Sequence, residues 1–401
     1  MKKDLFIIAT LALVFASCSN EKLLNNSVNE AAVKPIGFDV YANKSTKTNN
    51  ENNKNNLNFF YDAFKVSGWK YTDDWKVVFN NEINEYFDED KQGSYIYKTS
   101  PAKPSTEWAS AANLSTNPAW YYEGVRYWDK FATKYQFGAY APITASSVEI
   151  NHTDGNDCVI TLASSSRKFT VESTNLMATP SKTLAYKGFT TDFMTAVAHT
   201  GNANSTSPVS LTFTHELAKF DIKLALNTEV KTNQPVIVKE IKLHNLNGSS
   251  YYDSSKETAE NFLTGWNTPT GEVSTYAVDG PGDATTGYQL NLDIDPSTDG
   301  DQNYNGFYVF ESLMIPQTIA KSANAAQLAE QSEACIYVKY TIGDEEFVGY
   351  YALANMFTTD NSFNLAGGNE YILTITVGPA PIYFTPSVTP WTEVPQNYDV
   401  Q

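Results

Sequence analysis

The sequence predicts an all-β protein arranged as two tandem domains. Most apolar segments are short and alternate with polar residues, the period-2 pattern of half-buried strands, and turn residues separate them. Helical periodicity is scarce, with Ala325–Ser332 the best short candidate. The length of 401 residues corresponds to two domains at roughly 100–200 residues each.

The first element is an export signal over residues 1–17. Lys2 and Lys3 precede an apolar run from Leu5 to Ala16, shorter than the ~20 residues a membrane span needs but suited to a signal-peptide core. Phe15-Ala16-Ser17-Cys18 places small residues directly before a cysteine. This resembles a bacterial lipobox, which implies cleavage before Cys18 and a diacylglycerol on its thiol.

Residues 18–58 read as a leader. A polar stretch runs to Val33, after which Ile36, Phe38 and Val40 alternate with Gly37, Asp39 and Tyr41, as in a strand with one buried face. Asn43–Asn58 is almost free of apolar residues and carries Lys44, Lys47 and Lys54. Such a segment buries too little surface to order itself and is expected to be an exposed, flexible loop.

Residues 59–200 are expected to form the first domain, with strands at Phe64–Tyr71, Val77–Phe79, Arg126–Trp128 and Tyr135–Pro142. The stretch Ala198–Pro208 is small and polar and reads as the interdomain linker. Residues 201–401 form the second domain. Leu211–His215 alternates, then slips phase before Phe220–Leu224, as a β-bulge would. Ile241–Leu243, Tyr308–Phe310, Ile336–Ile342 and Tyr371–Val377 continue the strand pattern.

Composition narrows the function. A formal net charge of −17 leaves no surplus of cations to displace phosphate counterions or to bind anionic lipid, so neither nucleic acid nor a polybasic membrane contact is expected. Three cysteines are too few for a disulfide scaffold or a cysteine-rich zinc module. Cys158 and Cys335 lie in alternating apolar runs, and the sequence leaves open whether they pair.

No catalytic constellation emerges, and neither an enzymatic role nor a cofactor is expected. His152, His199, His215 and His244 lack the spacing of a zinc-protease helix. Gly280–Gly287 is Gly-rich, but its spacing is wrong for a phosphate-binding turn. Asp295, Asp299 and Asp301 fall at calcium-loop positions with Gly300 between them, yet Gly306 stands where a bidentate Glu is required. A solvated acidic turn is the better reading, as it is for Asp88-Glu89-Asp90 and Glu345-Glu346. Trp69, Trp75, Trp108, Trp120 and Trp128 suit a carbohydrate platform, but sandwich cores use the same residues and that reading is preferred.

Taken in order, these segments resemble the fimbrillin family of Bacteroidales type V pili. The carriers are Cys18-Ser19-Asn20, then Ile36–Val40 running into Asn43–Lys47, Phe64–Gly68, and Arg126–Trp128 with Tyr135–Pro142. They continue with Val209–Lys219, Gly367–Thr374 and Val388-Thr389-Pro390-Trp391. The resemblance implies two transthyretin-like β-sandwich domains and a lipoprotein precursor carried to the outer membrane. It implies that a trypsin-like or Arg-directed protease cuts after the first strand, and that a strand from the next subunit fills the vacated groove. The partners implied are other fimbrillin subunits, with host or bacterial surface ligands for adhesion.

One departure stands out. The only arginines are Arg126 and Arg167, so a cut after the first strand would have to use Lys44, Lys47 or Lys54. An uncut chain would suit a tip or anchor role better than a stalk. The candidate donor is the tail, where Ile382, Phe384, Pro386, Val388 and Pro390 share one parity and Tyr383 and Trp391 the other. The prolines then remove N–H donors along one edge only, as an edge strand tolerates. From a different class, a glycan-binding surface lipoprotein is the alternative.

Overall fold

The computed structural model describes residues 35–42, 63–87, 108–110, 119–124, 126–145, 147–162, 169–170, 192–201, 208–226, 236–256, 265–266, 273–278, 288–290, 307–322, 333–358, 360–377 and 382–390. They form an all-β protein. In the first half run β1 (Phe38–Ala42), β2 (Ala63–Tyr71), β3 (Trp75–Phe87), β4 (Trp108–Ser110), β5 (Ala119–Glu123), β6 (Lys134–Ala141), β7 (Val148–Asn151), β8 (Val159–Leu162), β9 (Phe169–Thr170), β10 (Met194–Thr200) and β11 (Val209–His215). Then come β12 (Ala218–Leu226), β13 (Val236–Asn247), β14 (Ser249–Ser250), β15 (Tyr252–Asp253), β16 (Val273–Val278), β17 (Tyr288–Leu290) and β18 (Phe307–Met314). The last are β19 (Gln317–Ala320), β20 (Cys335–Ile342), β21 (Glu345–Ala352), a short helix α1 (Leu353–Phe357), β22 (Ser362–Leu365), β23 (Asn369–Val377) and β24 (Tyr383–Pro390).

Eight strands of the first half form one sheet in the order β1-β11-β10-β6-β2-β3-β5-β4. One face carries a core of Phe64, Val66, Phe79, Trp120, Tyr122, Phe137, Leu211 and Phe213 among others. The sheet curls enough that Phe38, at one edge, meets the ring of Tyr122 on β5 at 6.1 Å. The other face packs Trp69 and Tyr140 against Val148, Ile150, Cys158, Ile160 and Leu162 of a second layer, ordered β15-β8-β7.

In the second half a four-stranded sheet (β18-β12-β23-β24) and a second sheet (β16-β13-β20-β21, with β17 beside β13) share one core. Phe220, Ile222 and Leu224 contribute from one side, and Val238, Ile241, Leu243, Ile336 and Val338 from the other. Leu353 and Ala354 of α1 close it. Leu313, Ile315, Leu217 and Trp266 join the layer beneath the first sheet.

Two sequence expectations change. The phase slip after His215 is not a bulge but a corner. Residues β11 and β12 lie in different sheets, and the chain crosses at Glu216–Leu217, fastened by hydrogen bonds from Glu216 N to Phe193 O (2.9 Å), from Gly368 N to Leu217 O (3.0 Å) and from Trp266 Nε1 to Glu216 O (2.5 Å). The true register shift in β12 comes later, between Ile222 and Lys223. Strand β10 pairs with β11 in the same sheet. Ala198–Thr200 of the expected linker belongs to β10. Arg126–Trp128 forms only an isolated bridge, Tyr127 with Pro35, and the helix expected at Ala325–Ser332 lies outside the described residues.

The first sheet and the layer beneath it approach closely at Gly138 of β6. A Cβ there would stand 2.5 Å from Ile150 Cγ2 and 2.6 Å from Cys158 Sγ. Gly138→Val should therefore lower stability by about 1–3 kcal/mol through overpacking, seen as a lower urea midpoint. An unchanged midpoint would contradict this packing.

Candidate functional site

Strand β1 forms because Phe38 and Val40 alternate with Asp39 and Tyr41, and the sheet gives the alternation an inside and an outside. Ile36, Phe38 and Val40 are buried, whereas Tyr41 is exposed. Pairing with β11 is parallel, from Phe38 opposite Val209 to Ala42 opposite Phe213, and Val209 N donates to Gly37 O at 2.8 Å. Among the described residues no other strand of the sheet lies on its far side, so β1 is an edge there.

Its side chains nevertheless reach the centre of the core. The Phe38 ring meets Phe79 at 5.3 Å, Phe137 at 5.9 Å, Tyr122 at 6.1 Å and Phe64 at 6.2 Å, all edge-on. These rings come from β3, β6, β5 and β2. Burying each of the three apolar side chains is worth about 1.5–3 kcal/mol. An edge strand that supplies central packing is separable in topology and costly to remove.

The segment before β1 is held on its other side by a polar latch. Ile36 N donates to Arg126 O (2.8 Å), and Tyr122 OH donates to Ile36 O (2.6 Å) while accepting from Arg126 N (3.3 Å). Burial pushes the Tyr122 phenol far above its ordinary range, so it stays a neutral donor. The Arg126 guanidinium bonds Glu82 Oε2 at 2.8 Å and Gly124 O at 2.7 Å, also bonds Glu123 O, and stacks over Phe79 and Tyr122. Burial raises Glu82 against the pull of Arg126. Arg126 is thus engaged in packing β1.

The tail strand β24 is also an edge, antiparallel to β23 from Thr376 opposite Tyr383 to Asn369 opposite Pro390. Ile382 is buried in the second core, Phe384 is half-buried with its ring 4.7 Å from Tyr351, and Val388 is 50% exposed. The shared parity of these residues holds, but the core ends beneath the strand before Val388 is reached. Cys18, Lys44, Lys47, Lys54, Trp391, Asp295, Asp299 and Asp301 lie outside the described residues.

The remaining candidates resolve into structural contacts. Cys158 and Cys335 are both free and buried in separate clusters, with burial pushing their thiols up to about 12 and about 11. His215 Nδ1 meets Asp192 Oδ2 at 2.7 Å inside the protein, and His199 Nδ1 meets Asp157 Oδ1 at 2.8 Å at the surface. His152 stacks on Trp75, and His244 packs beside Tyr337 and Tyr350. Trp69, Trp120 and Trp128 are core residues. Glu345 and Glu346 are exposed on β21, where Glu346 Oε2 pairs with Lys339 Nζ at 3.0 Å. Among the described residues no group of three or more His, Cys, Asp or Glu could hold a metal.

Sequence reasoning missed one cluster. Lys219 Nζ lies 3.0 Å from Glu370 Oε1, 3.2 Å from Glu311 Oε1 and 3.6 Å from Asp221 Oδ2. Lys219 and Asp221 are fully buried on β12, between Glu311 of β18 and Glu370 of β23. Burial pushes the Asp221 carboxyl well above the ordinary range, with Glu311 and Glu370 adding to it against Lys219. Burial raises Glu311 in the same way. The only signal was Lys219-x-Asp221-x-Lys223 alternating with Phe220, Ile222 and Leu224, which reads as a solvated face.

Phe38→Ala should cost about 3–5 kcal/mol, the usual range for a buried phenylalanine, whereas Val388→Ala should stay within about 0.5 kcal/mol. Chemical denaturation of both variants compares them directly. Equal losses would contradict the assignment of β1 as core and the Val388 end of β24 as rim.

A fimbrillin-like family model matches residues 76–391. No curated protein sequence matches the chain. Among solved structures, a fimbrial protein from Bacteroides vulgatus is 16% identical, with a TM-score of 0.44, covering 89% of this chain and 99% of its own. A cell adhesion protein from Bacteroides ovatus is 14% identical, with a TM-score of 0.46 and coverage of 91% and 100%. The tip fimbrial protein Mfa3 from Porphyromonas gingivalis, with a C-terminal truncation, is 10% identical, with a TM-score of 0.38 and coverage of 82% and 94%. Family membership rests on the sequence match over most of the chain: the protein belongs to the fimbrillin-like family.

Proposed function

We propose that the chain is a structural subunit of a cell-surface fimbrium that contributes to adhesion, exported as a lipoprotein through Cys18 and polymerised by strand exchange. The observation that carries this reading is β1, an edge strand whose three inward residues fill the centre of the first core. Excising it would bare the backbone edge of β11 and an apolar groove lined by Phe64, Phe79, Tyr122 and Phe137. A donated strand satisfies both by β-augmentation.

The tail suits the groove in pattern. Ile36-Gly37-Phe38 and Ile382-Tyr383-Phe384 share the same Ile-x-Phe spacing, so a neighbour's tail docked parallel to β11 would bring Phe384 into the ring cage of Phe38. In the monomer the tail rests on β23 and would have to leave it. The two tandem transthyretin-like sandwiches, divided at residues 200/201, belong to this proposal. So do other fimbrillin subunits as partners, surface ligands of host or bacteria, and an outer-membrane attachment of the precursor.

Processing is proposed within Lys44–Lys54 by a protease that accepts lysine. The lack of arginine there favours one second reading, an uncut tip or anchor subunit. Mass spectrometry of surface fimbriae should find subunits beginning inside Lys44–Lys54. Intact, lipidated N-termini at Cys18 would sink the stalk assignment and leave the anchor reading.

Deleting Tyr383–Gln401 should abolish fibres, as scored by electron microscopy, while the chain stays soluble, because Ile382 remains to fill the second core. Fibres of normal length from that deletion would refute the tail as donor.

A further inference from the structure

We propose that Lys219 and Glu370 join in an intramolecular amide cross-link between β12 and β23, with Glu311 and Asp221 handling the protons. In the parallel β12–β23 pair Lys219 lies directly opposite Glu370, and Nζ stands 3.0 Å from Glu370 Oε1. In the antiparallel β12–β18 pair Asp221 lies opposite Glu311, whose Oε1 is 3.2 Å from the same nitrogen. Four ionisable side chains from three adjacent strands thus converge where water is excluded. Both Asp221 oxygens and Glu311 Oε1 are themselves buried. A plain structural ion pair does not call for three carboxylates around one ammonium, since each buried charge costs several kcal/mol.

The chemistry balances without an outside reactant. Glu311 takes a proton from the Lys219 ammonium and frees the lone pair on Nζ. Asp221, whose carboxyl burial pushes well above its ordinary range, supplies a proton to the Glu370 carboxyl. Nζ attacks Cδ of Glu370 to form the new C–N bond, and the second amine proton returns through the two acids. One Cδ–O bond breaks, and the oxygen leaves as water. Ammonium plus carboxylate becomes amide plus water, with no redox change. Groups held at contact distance in fixed orientation gain a large effective concentration, which is what an uncatalysed amide condensation lacks.

The placement also has a mechanical sense, which rests on the fimbrial reading. Strand β12 follows the corner at Glu216–Leu217, and β23 leads into the tail β24. Tension entering at one and leaving at the other shears two parallel strands, and a covalent tie between them would carry it. The cross-link itself does not depend on assembly.

Proteolytic digestion and mass spectrometry of the purified full chain tests it. The expected result is one branched peptide joining the Lys219 and Glu370 segments, lighter by one water than its two arms. Recovery of both residues only in separate, unmodified linear peptides overturns the proposal, whether or not the chain forms fibres. Glu311→Gln preserves shape and removes the proton acceptor, and should reduce the branched peptide by about 10²-fold or more at matched times. Undiminished branching in that variant overturns the role given to Glu311.

Discussion

Phe38 sits on an edge strand and yet touches four rings drawn from four other strands. The first half of the protein depends on that contradiction. Edge strands usually contribute rim, and a sheet can lose one without losing its centre. Here the curl of the eight-stranded sheet carries β1 over the middle of its own core, and the Tyr122–Arg126 latch holds the chain just before it. The strand is attached by one backbone ladder and a few hydrogen bonds, but it excludes water from the whole aromatic cluster. Such an element acts as a plug, because its side chains fill the centre of the core from an edge position.

The second half solves a different problem. Strand β12 lies between β18 and β23 with its apolar residues facing the shared core and its charged ones turned to the other face. That face is buried too, so Lys219 and Asp221 have no water to solvate them. Glu311 and Glu370 arrive from the flanking strands at registers set by the sheet. A single misregister would leave Lys219 without these carboxylates, and the cluster therefore specifies the pairing of the three strands. The corner at Glu216–Leu217 links the two halves so tightly that plug and cluster belong to one continuous framework.

Much of this was legible in the sequence, element by element. The alternation of Ile36, Phe38 and Val40 marks β1 and its buried face, and the strands around Phe64, Tyr135, Ile336 and Tyr371 appear where alternation places them. Pairing was not legible. Nothing local to residues 36–42 says that the partner is β11, that it runs parallel, or that the sheet curls. The slip after His215 has a local phase signature, but a bulge and a change of sheet look alike until the neighbours are known. Lys219-x-Asp221 misleads for the same reason, since alternation gives two faces and not which of them meets solvent. In the tail, parity groups Ile382, Phe384 and Val388, but Ile382 is buried and Val388 exposed, because the depth of the core beneath each depends on the opposing sheet.

In the proposed strand exchange, the place of β1 beside β11 passes to a strand of another chain. A high-resolution cryo-electron microscopy map of assembled fibres tests it most directly. The expected map shows a strand parallel to β11 whose density runs continuously into the tail of a neighbouring subunit, with Phe384 among Phe64, Phe79, Tyr122 and Phe137. Density in that groove continuous with the subunit's own residues 36–42 would contradict it.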